Sequence, residues 1–460
     1  MRKEQHTAAQ ETAHLSRDIT LFGGVNILVG IMVGSGIFYL GSYVLMRSGY
    51  SQGLSLLVWA IGGLITLLSG LCYGELGASF PQAGGSYVYL REAYGKAVAF
   101  SSGFSGFILG SSGSIAALAL AFSSILNQFI ALSPLQGKLI AVVLIIALSV
   151  VNYYGVRLGS WVQNLFTISK LVPILLILGA GLLLGTQPVQ FALPSSISVS
   201  QIIGMIAFAV VATLWAYEGW MNLNTVGEEL KNPQRNIPLA LVIAISLVTV
   251  LYVLFQFAIY RVVSYDQIMQ SLAEGNYFLG TLAANQLFGF AGTVLVGAGM
   301  LISIFGATNG CIMVFPRSYY AMALDGLFFK QIAAVNPQTK TPGNAIVLSA
   351  AVSILLVFMR NLDQLTSLVT FQGLVYNAFI FLAVIIFRNK YPQQARPYKV
   401  IGYPLTPLLA VFVMVGLLVN TLLSDPVTSI VGLVIPLFAF VLYFFIHKTK
   451  ETAAYANNSI

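Results

Sequence analysis

The sequence has little charge. Only 8% of its 460 residues are Asp, Glu, Lys or Arg, whereas 58% are hydrophobic, and the mean hydropathy is +0.87. A soluble domain cannot bury so large an apolar fraction. The composition therefore excludes the ordinary soluble classes and predicts an integral membrane protein surrounded by the lipid bilayer.

Cysteine and histidine are also scarce. Cys72 and Cys311 lie in apolar stretches, which excludes a disulfide framework and a cysteine-rich metal site. His6 and His14 lie in a polar tail and His447 ends the final apolar run, so no histidine relay crosses the membrane. Because no nucleophile, base and orienting acid can be assembled, we expect no enzyme activity, no metal and no cofactor. The net charge of +8 matters here mainly through the placement of its basic residues between the membrane spans. We therefore expect no nucleic acid as a partner.

A cleavable signal peptide is not expected either. The first twenty residues are polar, the apolar run that follows is too long, and no small-residue cleavage site succeeds it. We therefore expect the first span to remain in the mature protein.

What is present is a series of apolar runs near the ~20 residues that cross a bilayer. They predict an all-α polytopic membrane protein with twelve transmembrane helices, near 18–45, 52–79, 96–126, 135–154, 159–185, 199–226, 236–262, 279–324, 343–359, 364–388, 404–424 and 426–447. If the N-terminus is cytoplasmic, the outer joints keep only Arg47, Lys138, Arg261 and Arg360, and most other basic residues face inward. This asymmetry places both termini inside the cell.

Two spans are interrupted at matching positions. Gly34, Ser35 and Gly36 break the first span, and the stretch from Trp215 to Gly219 breaks the sixth. Gly34 and Trp215 are 181 residues apart, as are the starts of the two spans. Paired broken helices are typical of inverted-repeat transporters with a substrate site near the midplane.

The repeat predicts a division of the chain into five parts. These are a cytoplasmic tail (1–17), a first five-helix repeat (18–185), a second five-helix repeat (199–388), two additional helices (404–447) and a second cytoplasmic tail (448–460).

The break at Gly34 to Gly36 can bind a carboxylate. The missing side chains let a ligand approach the backbone, and the second half-helix points its positive dipole end into the gap. Carbonyls before the break, around Met32, and those up to Trp215 could accept a primary ammonium, so the two breaks together fit an amino-acid backbone. The alternative is that the glycines only allow close helix packing, which a single break would favour and two breaks in register do not.

Lys170 is the most informative single charge, since an ammonium inside a span is costly and usually faces the protein interior. The alternative is a lysine that snorkels to the interface. We favour an interior functional lysine whose partners are carbonyls of the first helix or hydroxyls of the eighth, such as Thr308. Tyr252 either presents its hydroxyl to the pocket or packs as an aromatic ring.

The two carboxylates in the spans have different interpretations. Glu218 could carry a coupling proton or receive a cationic ligand, or it could cap the second half of the sixth helix, and the sequence weighs these evenly. Glu75 lies near the inner end of the second span, where an interface ion pair is favoured.

The motifs "GIMVGSGIF", "YGELGASFPQAGGSYVYLREAYG" and "EELKNPQRNIPLA" resemble the amino acid, polyamine and organocation (APC) transporters over about 18–400. Within that superfamily, "WAYEGW" and the intramembrane lysine are most similar to bacterial L-amino acid transporter (LAT)-type exchangers of the alanine-serine-cysteine type. The resemblance implies the 5+5 inverted repeat of the LeuT-like fold, with helices 1 and 6 broken, and alternating access.

The resemblance also implies roles for individual residues. Ser35 and Gly36 would meet the substrate carboxylate through backbone N–H groups, and Met32, Trp215 and Glu218 would offer carbonyls to the amine. Trp215 matches an aromatic gate. Lys170 matches a lysine that occupies the place of a sodium ion in sodium-coupled relatives.

Two departures from animal light subunits stand out. Those subunits often have glycine in place of Glu218, and they carry a cysteine between spans three and four that this chain lacks. We therefore expect no disulfide-linked heavy subunit.

The leading hypothesis is a sodium-independent plasma-membrane exchanger of small or medium neutral L-amino acids such as alanine, serine and cysteine. A proton-coupled symporter is one alternative, with Glu218 or Lys170 as the titrating group. A membrane sensor that binds an amino acid without transporting it is another.

Overall fold

A computed structural model describes residues 17–34, 36–127, 129–154, 156–191, 198–336, 338–339, 341–424 and 426–457. These residues are helical with no strands apart from one isolated bridge between Ile19 and Leu230. The helices are α1 Leu21–Met32, α2 Gly36–Arg47, α3 Gln52–Ser79, α4 Ser86–Tyr94, α5 Lys96–Ser105, α6 Ser112–Leu126, α7 Pro134–Tyr153, α8 Val156–Leu184, α9 Val199–Tyr217, α10 Asn222–Thr225, α11 Pro233–Val262, α12 Tyr265–Ala273, α13 Leu279–Phe288, α14 Phe290–Val314, α15 Pro316–Leu324, α16 Gly343–Met359, α17 Leu362–Lys390, α18 Leu405–Ser424 and α19 Pro426–Asn457.

The helices are long and apolar enough for a polytopic membrane protein. Among the described residues, 8 stretches satisfy both criteria: Gln52–Ser79, Lys96–Leu126, Pro134–Tyr153, Val199–Tyr217, Pro233–Val262, Phe290–Leu324, Gln364–Lys390 and Leu405–Leu423. Shorter apolar helices are Leu21–Met32, Lys170–Leu184, Gly343–Met359 and Ser429–Phe445. The prediction of an all-α membrane protein is confirmed.

Several helices begin at the same local signal, Ser or Asn followed three residues later by Gln. At α7 the Ser133 hydroxyl accepts from the Gln136 N–H and the Gln136 side chain accepts from the Ser133 N–H. The starts of α9, α12 and α17 repeat this capping box. Each box satisfies two backbone donors that a helix start leaves unpaired, so these sequences fix where the chain enters the helix.

The interior is built around α3, α8, α11 and α14. α3 packs along α11, α8 packs along α14, and α1 lies against both α11 and α14. Fully buried aromatic side chains such as Trp59, Tyr217 and Tyr252 fill the centre. Leu183, Phe412 and Leu423 are instead highly exposed, as expected for side chains that face lipid. α18 packs on α17, and α19 packs on α5 and α17.

One predicted span differs from the structure. The eighth was expected to run from 279 to 324, but α13 ends at Phe288 and α14 begins at Phe290. Gly289 separates them with φ of +64°, a conformation that glycine adopts without steric cost. The helix before it, α13, packs against α14 as a separate element. The apolar run of the sequence is therefore longer than the membrane span.

Candidate substrate site

The first helix break lies where α1 and α2 meet. α1 ends at Met32, and the Gly34 N–H donates to the Met32 carbonyl at 2.9 Å. A Cβ at Gly34 would meet no other heavy atom within 4 Å, whereas a Cβ at Gly36 would lie 3.3 Å from the Ala216 Cα. The predicted Ser35 contact lies outside the described residues. Open space beside Gly34 and a helix start at Gly36 form a backbone-lined gap.

The second break begins later than the sequence predicted. Trp215 and Tyr217 are still helical, and the chain leaves α9 only at Glu218, whose backbone is extended with φ of −57° and ψ of 143°. Gly219 follows with φ of +111°, and a Cβ there would lie 2.5 Å from the Ile31 Cγ2. The chain resumes at α10. The two breaks are therefore in direct contact, because Gly219 packs against Ile31.

Tyr252 of α11 joins the two breaks. Its hydroxyl lies 2.7 Å from the Met32 carbonyl and 2.9 Å from the Ala216 carbonyl, and its single proton is shared between them. The ring packs edge-on to Trp59, with 5.3 Å between ring centroids. Packing holds the hydroxyl in place, so Tyr252 satisfies one carbonyl from each broken helix.

Lys170 also reaches the first break. It is fully buried, and its ammonium donates to the Gly30 carbonyl. α8 begins at Val156, so Lys170 lies 14 residues, or about 21 Å, along the helix. This depth excludes snorkelling to the near end of α8. A cation held at the open end of α1 stabilises the negative end of that helix dipole.

The hydroxyls of α14 have separate roles. Ser303 donates to the Val33 carbonyl at 2.9 Å, which satisfies another group of the first break. Thr308, a predicted partner of Lys170, donates to the Ile304 carbonyl of its own helix at 2.7 Å.

Both lone pairs of the Met32 carbonyl oxygen accept hydrogen bonds in this structure. A carbonyl oxygen has two lone pairs, and Met32 accepts both from the Gly34 N–H and from the Tyr252 hydroxyl. The contact between Met32 and a substrate amine, expected from the resemblance, would therefore displace one of these donors.

Residues at the second break line two cavities. The Trp215 cavity, of about 470 Å³, is lined by Trp215 together with Leu40, Tyr43, Arg47, Phe208, Val211, Ala212, Leu362, Thr366, Ser367, Thr370, Phe371, Asn420 and Thr421. The Glu218 cavity, of about 120 Å³, includes Glu218, Tyr73, Ser102, Asn222, Gln372 and Asn377 in its lining. No residue lines both cavities in the described part of the chain. Trp215 therefore belongs to one lining and Glu218 to the other.

Glu218 is the charged residue of its cavity. No lysine, arginine or other carboxylate belongs to that lining within the described residues. Most of the other polar groups there are hydroxyls and amides, for example Tyr73, whose hydroxyl donates to the Asn377 side-chain oxygen at 2.7 Å. A carboxylate at this depth is costly unless it binds a proton or a cation.

Two ion pairs join separate elements of the chain. Glu75 makes two hydrogen bonds with Arg388, at 3.0 and 2.7 Å, in agreement with the predicted ion pair. Arg317 and Glu229 form a second, more deeply buried pair at 3.2 Å. These contacts tie α3 to α17, and α15 to the segment after α10.

One residue of the break was missed from the sequence. Gln256 is fully buried one turn beyond Tyr252, and its amide donates to the Ile37 carbonyl at 3.0 Å. It lies against Gly41, where a Cβ would be 2.3 Å from the Gln256 Oε1. The signal available in the sequence was a polar side chain within an apolar span, together with a glycine in the span that it contacts.

Paired helix breaks, each satisfied by side chains from neighbouring helices and flanked by separate cavities, are the architecture of a membrane transporter. The chain matches the amino acid permease family over residues 19–456, and it belongs to that family. The members of this family are transporters and not enzymes.

Curated relatives cover nearly the whole chain. The serine/threonine exchanger SteT of Bacillus subtilis (strain 168) is 33% identical over 440 residues, 95% of this chain and 98% of the relative. The human b(0,+)-type amino acid transporter 1 is 31% identical over 451 residues, 96% and 91% of the two chains. The human cystine/glutamate transporter is 31% identical over 435 residues, 93% and 85%.

Proposed function

We propose that the protein is a sodium-independent exchanger of small or medium neutral L-amino acids such as alanine, serine and cysteine. The observation that carries this proposal is the contact of Lys170 with the Gly30 carbonyl at the first break. A fixed ammonium supplies the positive charge that a bound sodium ion would otherwise bring to these carbonyls. The name of the Bacillus relative, a serine/threonine exchanger, supports exchange as the mode of transport.

In the proposed binding mode, the substrate carboxylate lies at the start of α2, where the N–H groups of the first turn have no partner within the helix. Gly34 leaves room for it. The ammonium lies toward the carbonyls at the ends of α1 and α9 and toward Glu218. Trp215 covers the site on one side, which favours small substrate side chains.

We propose the following membrane arrangement. Twelve helices cross the plasma membrane, with a first repeat over 18–185, a second over 199–388 and two further helices over 404–447. Both termini are cytoplasmic, so the Trp215 cavity opens outward and the Glu218 cavity inward. Alternating access then consists of opening one cavity to the site while the other remains separate.

Exchange is tested with purified protein in liposomes loaded with alanine. Entry of labelled serine should be much faster than into empty liposomes, and it should be the same in sodium and in choline medium. Equal entry into loaded and empty liposomes would exclude exchange, and a requirement for sodium would exclude the role assigned to Lys170.

A second candidate function is proton-coupled uptake, which is favoured by the isolated Glu218 carboxylate in its cavity. An imposed pH gradient should then drive accumulation into empty vesicles. Glu218→Gln should abolish that accumulation, because it removes the titrating carboxyl.

A further inference from the structure

Another cavity lies where α6 and α16 end and where α7 and α17 begin. Its volume of about 480 Å³ falls in the range of ~300–1,000 Å³ typical of small-molecule pockets. It is lined by residues of the last two turns of α6, by the first residues of α7 and by residues 358–362, which join α16 to α17. None of the residues assigned to the two helix breaks belongs to this lining in the described part of the chain. We call it the Lys138 cavity.

Two cations meet in the Lys138 cavity. The Lys138 ammonium donates to the Phe358 carbonyl at 3.1 Å, two residues before Arg360. The Arg360 side chain makes no hydrogen bond or ion pair with any residue that the structure describes. No aspartate or glutamate belongs to the described lining, and the side chain of Asp363, which follows in the sequence, lies outside the described residues. Like charges in one cavity repel each other, and a bound anion would remove that repulsion.

Other groups add hydrogen-bond donors and positive potential. α7 begins in the lining at Pro134 and has no acidic residue in its first turn, so its own side chains do not compensate the positive end of its dipole. The Asn361 side-chain oxygen accepts from the Gln364 N–H at 2.9 Å, which leaves the amide protons of Asn361 for a ligand. A guanidinium binds phosphate through two parallel hydrogen bonds. The donors of the cavity therefore fit a phosphate group.

Exposed apolar side chains continue from the cavity along the same helices. α7 and α16 pack against each other. Leu139 and Val143 follow Lys138 on α7 and are exposed, as are Leu355, Phe358 and Met359 of α16. A small soluble anion needs no such surface, whereas a phospholipid covers it with acyl chains. Basic pockets between membrane helices are known to bind the head groups of anionic lipids.

We propose that the Lys138 cavity binds the head group of an anionic phospholipid. Lys138 and Arg360 bind the phosphodiester, Asn361 donates a further hydrogen bond, and the acyl chains lie along the exposed apolar side chains of α7 and α16. In the membrane arrangement proposed above, this cavity lies at the outer ends of the helices, so the lipid comes from the outer leaflet. The bound lipid bridges α7 and the joint between α16 and α17.

Lipid binding is measured by native mass spectrometry on delipidated protein in detergent, titrated with dioleoyl phosphatidylglycerol or dioleoyl phosphatidylcholine. Wild-type protein should bind the first phosphatidylglycerol more tightly than the first phosphatidylcholine. Lys138→Gln and Arg360→Gln should each weaken that first site about fivefold, as expected for one basic residue beside an anionic lipid. Arg360→Lys keeps the charge and should retain most of the affinity. Thermal unfolding without lipid verifies that each variant is folded.

The matched control is Arg261→Gln. Arg261 also belongs to a predicted outer joint, is half-buried, and donates to the Gly185 carbonyl, but it does not line the Lys138 cavity. This substitution removes the same charge and should leave phosphatidylglycerol binding unchanged. An equal loss in Arg261→Gln would mean that general surface charge attracts the lipid, and it would overturn the proposal. Unchanged binding in the double variant Lys138→Gln/Arg360→Gln would overturn it as well.

Soluble anions distinguish a lipid site from a phosphate site. Inorganic phosphate and glycerol 3-phosphate carry the same charged group without acyl chains, so neither should displace phosphatidylglycerol when added in large excess. Displacement by either anion would overturn the lipid assignment. Because the assay needs no flux, lipid binding that depends on Lys138 and Arg360 would stand even if serine exchange were absent. Lipid binding that ignores both residues would overturn the site even if exchange occurs.

Discussion

Replacing Gly219 by alanine tests whether the two broken helices depend on each other. The backbone at Gly219 has φ of +111°, and a Cβ would lie 2.5 Å from the Ile31 Cγ2. The unfavourable backbone conformation costs about 1–3 kcal/mol, and overpacking of a buried contact costs about 1–3 kcal/mol more. The variant should therefore lose about 2–6 kcal/mol, which is a large part of the stability of a typical domain.

Two other glycines provide matched controls. Gly275 also has positive φ, of +76°, but no heavy atom lies within 4 Å of its Cβ position among the described residues, so Gly275→Ala carries the backbone cost alone. Gly204 lies inside α9 with the same open surroundings, and Gly204→Ala should be neutral or slightly stabilising, because alanine favours helix by up to about 1 kcal/mol. Comparison of the three variants separates the stability cost of atomic overlap from the stability cost of the backbone conformation.

The assay is thermal unfolding of the purified variants in detergent, followed by serine exchange in liposomes. Ile31→Ala removes the atom that the new Cβ would overlap, so the double variant should be about 1–3 kcal/mol more stable than the two single changes predict by addition. Additive effects, or a Gly219→Ala variant as stable as Gly204→Ala, would refute direct contact between the breaks.

Three further substitutions test the site and its supports. Lys170→Ala should nearly abolish exchange and leave folded protein, because it removes the cation from the Gly30 carbonyl; a wild-type exchange rate would discard that role. Tyr252→Phe leaves two buried carbonyls without their shared donor and should cost about 1–3 kcal/mol in thermal unfolding, with slower exchange. Glu75→Gln removes the charge that pairs with Arg388 and should lower stability by about 1–3 kcal/mol without changing the KM for serine, which separates a structural ion pair from a substrate contact.

Much of the helical architecture could be predicted because the bilayer imposes a simple rule on the sequence. Apolar runs of sufficient length must become helices that satisfy their own backbone groups, so α3 and the helices from 96 to 126 match the predicted bounds. The rule does not say how much of an apolar run lies in the span. Residues 279–288 are apolar enough to continue α14, yet Gly289 turns them into a separate helix.

The site was predicted in part for a related reason. A lysine within a span needs a partner, and the sequence therefore pointed to carbonyls of the first helix before Gly30 could be named. The use of the Met32 carbonyl could not be foreseen, because it depends on how α11 places Tyr252 beside α1. Contacts between distant helices leave no periodic signal in either one.

The short segment between Trp215 and Glu218 has a consequence for the membrane potential. Trp215 and Glu218 are three residues apart, about 5 Å along a helix axis. In the proposed membrane arrangement, with water in both cavities, most of the transmembrane voltage would fall across this short segment instead of across the full bilayer. A cation that crosses it would change in energy by about 2.3 kcal/mol per 100 mV, whereas the exchange of one zwitterion for another moves no net charge. In that arrangement, the residues that keep the two cavities apart would also be the electrical insulation of the protein.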